Sequence, residues 1–307
     1  MKAWTCERYE GVDALEWKEL PTPEPAPGEV RVRIEAASLN FPDLLIVQGK
    51  YQFKPALPFV PGAEYAGVVE AVGDGVTHLR PGQAVACMPM TGGFATHGLA
   101  RAETCMPLPP GFPAVDAAAF VMTYATSHHA LADRAQLKPG ETVLVLGAAG
   151  GVGTAAIQIA KALGARVVAA ASSEDKCAFC RSLGADETID YSQHAPPAAF
   201  REAIRKATGG RGPDVIYDPV GGAFAEPAFR SIAWRGRYLV VGFASGTDIP
   251  ALPLNLALLK GASLVGVFWG DFAKREPQAQ ASALAELAQW YREGRIKPAI
   301  DRTLPMD

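Results

Sequence analysis

No stretch of this 307-residue sequence approaches the roughly 18 consecutive apolar residues of a membrane span. The N-terminus, Met1 to Arg8, meets charge at once and lacks the apolar centre of an export signal. Charge of one sign is not in excess either. The 29 Lys and Arg stand against 32 Asp and Glu, a formal net charge of -3, so nucleic acid and membrane surfaces are not expected as partners. Cysteine is scarce. Cys6, Cys87, Cys105, Cys177 and Cys180 are scattered and odd in number, which argues against a disulfide framework and makes the cytoplasm the expected location. There is no internal repeat and no Gly-x-Ser-x-Gly nucleophile turn.

What is present is enough apolar sequence for two cores, in two textures. "PTPEPAPGE" (Pro21 to Glu29) can hold neither a helix nor a central strand, and the alternation of Val30, Val32 and Ile34 with Arg31, Arg33 and Glu35 then predicts a half-exposed strand. Short strands and turns are expected to continue to about Cys105. "CMPLPPGFP" (Cys105 to Pro113) is the clearest break in composition. Beyond it, strands and helices alternate. Strands are predicted at Thr142–Leu146, Arg166–Ala171, Val215–Tyr217, Tyr238–Val241 and Ser263–Phe268. Helices are predicted from Val152 to a cap at Gly164, from Ser173 to Gly184 and from Ala281 to Gly294. Repeated βα units of this length imply a parallel sheet with right-handed crossovers.

The most informative stretch is "ETVLVLGAAGGVGTAAIQIAKALGARVVAAASSEDK" (Glu141 to Lys176). A buried strand runs into glycines that allow a tight turn, and the helix that follows offers unpaired amides and a positive dipole end to a pyrophosphate. Gly147, Gly150 and Gly153 fall three apart, with Gly151 as an extra glycine, which departs from the usual dinucleotide spacing. An NAD site places a carboxylate at the end of the second strand. Here Ala171 is followed by Ser172, Ser173 and Lys176, groups that suit a 2'-phosphate and so NADPH. The competing local role is that Ser172 or Ser173 caps the next helix.

Together with "SLNFPDLLIVQGKY" (Ser38 to Tyr51), "PFVPGAEYAGVV" (Pro58 to Val69), "DPVGG" (Asp218 to Gly222), "VVGFASG" (Val240 to Gly246) and "LLKGASLVGVFWG" (Leu258 to Gly270), this stretch resembles the quinone oxidoreductase, or zeta-crystallin-like, branch of the medium-chain dehydrogenase/reductase superfamily. The resemblance spans essentially the whole chain. It implies an α/β protein with a GroES-like β-rich substrate domain (residues 1–122, with 270–307 returning to it) and a doubly wound Rossmann domain (residues 123–269). It also implies NADPH in a cleft between the two, and a homodimer paired through the last Rossmann strands. By the same resemblance Ala149, Gly150, Gly151, Val152 and Gly153 contact the pyrophosphate, and Ser172, Lys176 and Tyr191 surround the 2'-phosphate. Thr126, the loop of Gly242, Phe243, Ala244 and Ser245, and the loop of Phe268, Trp269 and Gly270 line the nicotinamide and its ribose. Asn40 and Tyr51 face the substrate.

Two departures from the family pattern stand out. Members usually continue past the segment at Asp301-Arg302-Thr303 with a helix and a strand that carries a basic residue near the cofactor phosphate, whereas this sequence ends at Asp307. An aromatic residue common some six positions before Tyr51 is replaced by Leu45 and Ile46.

Zinc-dependent alcohol dehydrogenases of the same superfamily take ligands from a cysteine near the position of Asn40 and from the histidine of a Gly-His-Glu motif. This sequence reads Gly62-Ala63-Glu64 and lacks the four-cysteine lobe of a structural zinc, so no metal is expected. Cys177 and Cys180 fall mid-helix without a second pair and read as packing residues. His128 and His129 diverge by about 100 degrees on a helix. His78, His97 and His194 fall in loop-like surroundings. Glu64 is expected to anchor its strand, through backbone amides or a basic partner, rather than to move protons.

Alcohol oxidation requires stabilisation of an alkoxide, which zinc supplies. Without it, hydride transfer to an acceptor that is already electrophilic is the easier reaction. The expected activity is therefore NADPH-dependent, zinc-independent reduction of quinones or conjugated carbonyls, with the Asn40 amide and Tyr51 hydroxyl as hydrogen-bond donors to the acceptor oxygen. Each has a bland counterpart, a turn-capping asparagine and an aromatic wall. The competing functions are reduction of an enoyl or acryloyl thioester on the same scaffold, and cofactor binding without turnover as in crystallin-like relatives.

Overall fold

Proline and glycine cut the first third of the chain into short strands. The structure, a computed structural model, describes residues 1–193, 197–246 and 249–307. These residues form two compact units, Met1–Met122 with Ile300–Asp307, and Thr123–Ala299.

In the first unit β1 (Lys2–Cys6) and β2 (Leu15–Glu19) pair antiparallel. β3 (Glu29–Ser38), β4 (Glu64–Val72), β5 (Ala84–Cys87), β6 (His97–Arg101) and β7 (Cys105–Pro107) build an antiparallel sheet in the order β6-β3-β4-β5-β7. Period-two alternation in β3 sends Val30 and Val32 into a core with Tyr65, Val69 and Val85, while Arg33 and Glu35 stay exposed. Register shifts between Arg31 and Val32 and between Ile34 and Ala36 bring Ser38 opposite Glu64. The helix α1 (Phe41–Ile46) follows β3, and α2 (Ala114–Ala118) follows β7. The last residues return to this unit, where the Trp4 indole donates to the Met306 carbonyl at 2.8 Å.

The second unit opens with two π-helical turns around α3 (Thr126–His128). Strands and helices then alternate: β8 (Thr142–Val145), α4 (Gly151–Ala162), β9 (Arg166–Ala171), α5 (Glu174–Ser182), β10 (Glu187–Asp190), α6 (Pro197–Ala207), β11 (Val215–Asp218), α7 (Ala225–Ser231), β12 (Arg237–Val240), α8 (Asn255–Lys260) and β13 (Ser263–Gly266). The six strands form one parallel sheet in the order β10-β9-β8-β11-β12-β13. Val143, Leu144 and Val145 are wholly buried, as a strand covered on both faces requires. The strand order reverses at β8, and sheets of this kind bind ligands beyond the carboxyl ends of the strands at that reversal.

Two expectations need correction. Residues 270–299, expected with the first domain, lie in the second unit as the helices α9 (Trp269–Arg275) and α10 (Pro277–Arg292). The reason is tertiary. Leu287 and Trp290 of α10 are buried, His128 Nε2 meets Glu286 at 2.9 Å, and Gln158 of α4 exchanges two hydrogen bonds with the Lys297 backbone. Only residues from Ile300 onward return to the first unit. The expected loop at Phe268–Gly270 is also shorter than read, because α9 begins at Trp269, whose indole is buried and donates to Gln280 Oε1 at 2.9 Å. No helix among the described residues is long and apolar enough to cross a membrane.

Candidate active site

In the second unit the glycine-rich turn joins β8 to α4. Gly147 adopts a φ of 57°, and a Cβ on Gly153 would lie 2.5 Å from the Gly147 carbonyl oxygen, so the turn can close against the first turn of α4 only if position 153 has no side chain. Gly150 is the N-cap, and the first ladder bond runs from the Thr154 amide to the Gly150 carbonyl at 2.8 Å. Amides in the first turn, from Gly151 to Gly153, therefore have no carbonyl of their own helix to bond, which makes this a cradle for an anion.

At the end of β9 both roles considered for the serines are filled. Ser173 is the N-cap of α5, its hydroxyl accepting from the Lys176 amide at 3.3 Å. Ser172 is left to receive the Lys176 ammonium at 2.9 Å, and the Tyr191 hydroxyl bonds the same serine. An ammonium and two hydroxyls thus converge where an NAD site carries a carboxylate. The acids of the first turn of α5, Glu174 and Asp175, are exposed.

A second loop is built at the end of β11. The buried Asp218 carboxylate accepts from the Val220 and Gly221 amides, both at 2.8 Å, and from the Tyr238 hydroxyl. The turn it fixes holds the 242–245 segment, since the amides of Ala244 and Ser245 bond the Pro219 and Val220 carbonyls at 3.0 Å. Thr126 is half-buried beside Ser127, whose hydroxyl donates to the Val152 carbonyl at 3.0 Å and lies 2.9 Å from the Tyr217 hydroxyl. That bond ties the Thr126 segment to α4. Phe268 is exposed, while Trp269 points into the core.

In the first unit Asn40 precedes α1 and lies beside a buried acidic pair. Glu64 has no exposed surface. Its Oε1 accepts from the Met122 amide at 3.0 Å, and its Oε2 accepts from the Ser38 hydroxyl at 3.0 Å and the Asn40 Nδ2 at 3.4 Å. Asn40 Nδ2 also donates to Ser38 Oγ at 2.8 Å. Burial pushes the Glu64 carboxyl up to about 7 despite these bonds. Asp43 accepts from the Asn40 amide and the Ala63 amide, both at 2.8 Å, and burial pushes it up to about 6. Glu64 therefore anchors through amides, a hydroxyl and a side-chain amide, and no ion pair to it is present among the described residues. Tyr51 is half-buried, and burial raises its hydroxyl above the usual tyrosine range.

Two family descriptions match the chain: an alcohol dehydrogenase GroES-like domain over residues 26–132 and a zinc-binding dehydrogenase over residues 151–288. Quinone oxidoreductase-like protein 2 of Bos taurus is 38% identical over 288 residues, covering 93% of this chain and 81% of that protein. The chain belongs to the zinc-independent, quinone-oxidoreductase-like branch of the medium-chain dehydrogenase/reductase superfamily. Among solved structures, a probable oxidoreductase from Mycobacterium abscessus superposes with a TM-score of 0.87 at 37% identity, covering 100% of this chain and 92% of that one. The quinone oxidoreductase of Thermus thermophilus, crystallised also in complex with NADPH, superposes with a TM-score of 0.82 at 36% identity over 98% of this chain and 90% of that one. As a member of the branch the chain has its GroES-like and Rossmann-type domains and is an oxidoreductase.

Although one matching family description names zinc, the ligand histidine of zinc-dependent members has Ala63 in its place, a fully buried methyl. Among the described residues no three His, Cys, Asp or Glu side chains gather closely enough to hold a metal ion. His78 Nε2 lies 3.1 Å from the Ala102 carbonyl, and His97 falls within β6 rather than a loop, beside Glu70. His128 and His129 turn to different partners, Glu286 and the stacked ring of Phe272. His194 lies outside the described residues. Cys177 and Cys180 are buried free thiols with raised pKa, the effect of desolvation.

Sequence reasoning missed Ser38 and Asp43. The second was signalled by Asn40-x-x-Asp43, the spacing of a capping box. The first had no local signal, because the strand register alone brings Ser38 to Glu64.

Proposed function

We propose that this chain is an NADPH-dependent reductase that delivers hydride to a quinone or another electrophilic conjugated carbonyl. The observation that carries the reading is the group of Ser172, Lys176 and Tyr191 at the end of β9, which offers cationic and hydroxyl contacts suited to a 2'-phosphate. Ala149, Gly150, Gly151, Val152 and Gly153 hold the pyrophosphate on the cradle before α4. Thr126 and the Gly242–Ser245 loop meet the nicotinamide ribose and ring, with Phe268 and Gly270 beside them. Trp269 takes part through its backbone, because its indole is committed to Gln280.

Bound NADPH supplies the hydride. Asn40 and Tyr51 contact the acceptor oxygen, on which negative charge gathers as the hydride arrives. The raised Tyr51 hydroxyl stays protonated and able to donate at neutral pH. With a methyl at position 63, activation of the acceptor falls to such donors. All five thiols are free and buried, which suits a reducing compartment such as the cytoplasm. A homodimer through β13 is part of the proposal. Among the described residues that strand pairs only with β12, and it presents Leu264, with Leu258 of α8 exposed on the same unit.

The deciding experiment measures NADPH and NADH oxidation by purified protein with 1,4-benzoquinone, an enone and an acyl-CoA panel. Turnover with the quinone or enone and a preference for NADPH is expected. Turnover confined to enoyl-CoA would move the chain to thioester reduction, and cofactor-induced thermal stabilisation without any turnover would leave a binding protein. Light scattering tests the dimer.

A further inference from the structure

The partners of Glu64 form a directed chain that ends at Asn40. As drawn by the hydrogen bonds, Asn40 Nδ2 donates to Ser38 Oγ at 2.8 Å, Ser38 Oγ donates to Glu64 Oε2 at 3.0 Å, and the other carboxylate oxygen is held by the Met122 amide at 3.0 Å. A serine hydroxyl has one proton to give, and an asparagine side chain has a donor end and an acceptor end. The direction of such a chain is therefore decided where it terminates. An ionised carboxylate can only accept, whereas a carboxylic acid can donate one hydrogen bond.

We propose that the proton on Glu64 sets the polarity of the Glu64–Ser38–Asn40 chain and thereby decides which end of the Asn40 amide is turned to the substrate. The proposal rests on the reading of Asn40 as a substrate-facing group, and it makes Glu64 a positioning residue. With Glu64 ionised, the Asn40 NH2 is drawn inward to Ser38 and the carboxylate, leaving the amide carbonyl outward. With Glu64 protonated, its O–H donates to Ser38 Oγ, the Ser38 hydroxyl donates to Asn40 Oδ1, and the rotated amide presents Nδ2 outward. Only that second state can donate to an acceptor oxygen that gains charge during hydride transfer. The proton is taken from water and stays on Glu64, so no bond of the substrate is made or broken by it.

Several features of the surroundings favour a proton that is exchangeable near neutrality. Glu64 is fully buried, and no Lys, Arg or His forms an ion pair with it among the described residues. The elements packed against β4 contribute Asp43 from α1, Asp116 from α2 and Cys87 from β5, with Tyr65 as the neighbour on β4 itself. Arg31, Arg33 and Glu35 of β3 lie on the surface side, where the arginines pair with Glu24, Glu70 and Glu35. Asp43 already serves the Asn40 and Ala63 amides and so holds the asparagine backbone, and the turn of the side chain exchanges its capping contact with the Asp43 amide for the bond to Ser38. Burial accordingly raises Glu64 to about 7.

The test exploits a feature of the sequence, which contains two asparagines, Asn40 and Asn255. In full-length protein labelled with ¹⁵N-asparagine, the Asn40 side-chain NH2 resonances should shift with pH through an inflection near 7, and the inflection should vanish in Glu64→Gln and shrink in Ser38→Ala, which leaves only the 3.4 Å contact between Asn40 Nδ2 and the carboxylate. The side-chain NH2 introduced by E64Q can only donate to Ser38 while the amide oxygen keeps the Met122 bond, so this variant imitates the protonated state. In the reductase assay the wild-type rate should fall by about a hundredfold to a thousandfold as pH rises through 7, the scale of losing one oxyanion donor. E64Q should hold the acid-limb rate at every pH.

An Asn40 resonance that does not titrate, or wild-type and E64Q pH–rate profiles that run parallel, overturns the chain as a switch. Should E64Q fail to fold, S38A, a smaller change at a half-buried position, breaks the link between Glu64 and Asn40 and should weaken the pH dependence of the rate; a profile that stays as in the wild type overturns the switch. Asn40→Ala separates the two ideas. If it leaves the rate unchanged, the substrate-facing reading fails. If it slows the reaction while E64Q keeps the wild-type pH profile, the reading stands and the switch does not.

Discussion

The Asp43 carboxylate accepts the Ala63 amide at 2.8 Å and so joins α1 to the turn that starts β4. In zinc-dependent relatives position 63 is a histidine ligand. Here its backbone is held by a buried acid that also takes the Asn40 amide at 2.8 Å. Asp43→Ala leaves two amides without an acceptor at about 1–3 kcal/mol each, and a loss of about 2–6 kcal/mol in urea unfolding is expected. Asp43→Asn retains one acceptor and should lose less.

Asp43 and Glu64 also predict an unusual pH dependence of stability. Their folded pKa values, about 6 and about 7, lie above the ordinary values of 3.8 and 4.5, so the native state binds these protons more tightly than the unfolded chain does. Their favourable contribution is complete below the ordinary values and is lost as pH rises through 6 and 7. Glu141 and Asp186, which burial would raise but Arg237 and Lys161 hold low, act in the opposite sense and lose their contribution on the acid side. Maximum stability is expected near about pH 5, with a decline toward about pH 8. E64Q should flatten that decline by on the order of 3 kcal/mol, measured by unfolding at a series of pH values.

Gly153→Ala tests the cradle. The added methyl would lie 2.5 Å from the Gly147 carbonyl oxygen, and neither backbone segment can yield without moving the turn. A stability loss of about 1–3 kcal/mol is expected, together with a rise of about tenfold or more in the NADPH dissociation constant measured by fluorescence titration.

Lys176→Ala tests cofactor choice. The ammonium meets Ser172 at 2.9 Å and is exposed, so its removal should leave unfolding nearly unchanged. The KM for NADPH should rise about tenfold to hundredfold, the scale of a charge-assisted phosphate contact, while the KM for NADH stays within about twofold. Equal effects on both cofactors would place the lysine away from the 2'-phosphate.

Much of the Rossmann part was legible in the sequence. Arg166–Ala171 is β9 residue for residue, and Gly164, Gly184 and Gly294 end their helices with φ values of 80°, 104° and 70°. Such signals are local, since buried strands are apolar runs and helix ends demand a backbone that only glycine adopts easily. α10 starts four residues before the helix predicted from Ala281, because Pro277 opens it at a position where its missing amide costs nothing. β10 is only four residues long, too short for a pattern, whereas α6 did carry a local signal, Phe200, Ala203, Ile204 and Ala207 at helical spacing.

The sequence alone determined the two textures, the glycine turn, the hydroxyl and ammonium groups after β9 and the methyl at position 63, because each follows from residues within a few positions of one another. Tertiary structure decided the rest. It turned Trp269 inward to Gln280, docked residues 270–299 on α4 and the π-helical turns, and shifted β3 so that Ser38 faces Glu64. These outcomes depend on contacts across 11 to 139 residues of chain, and such contacts form only where burial and register, not local pattern, choose the partner.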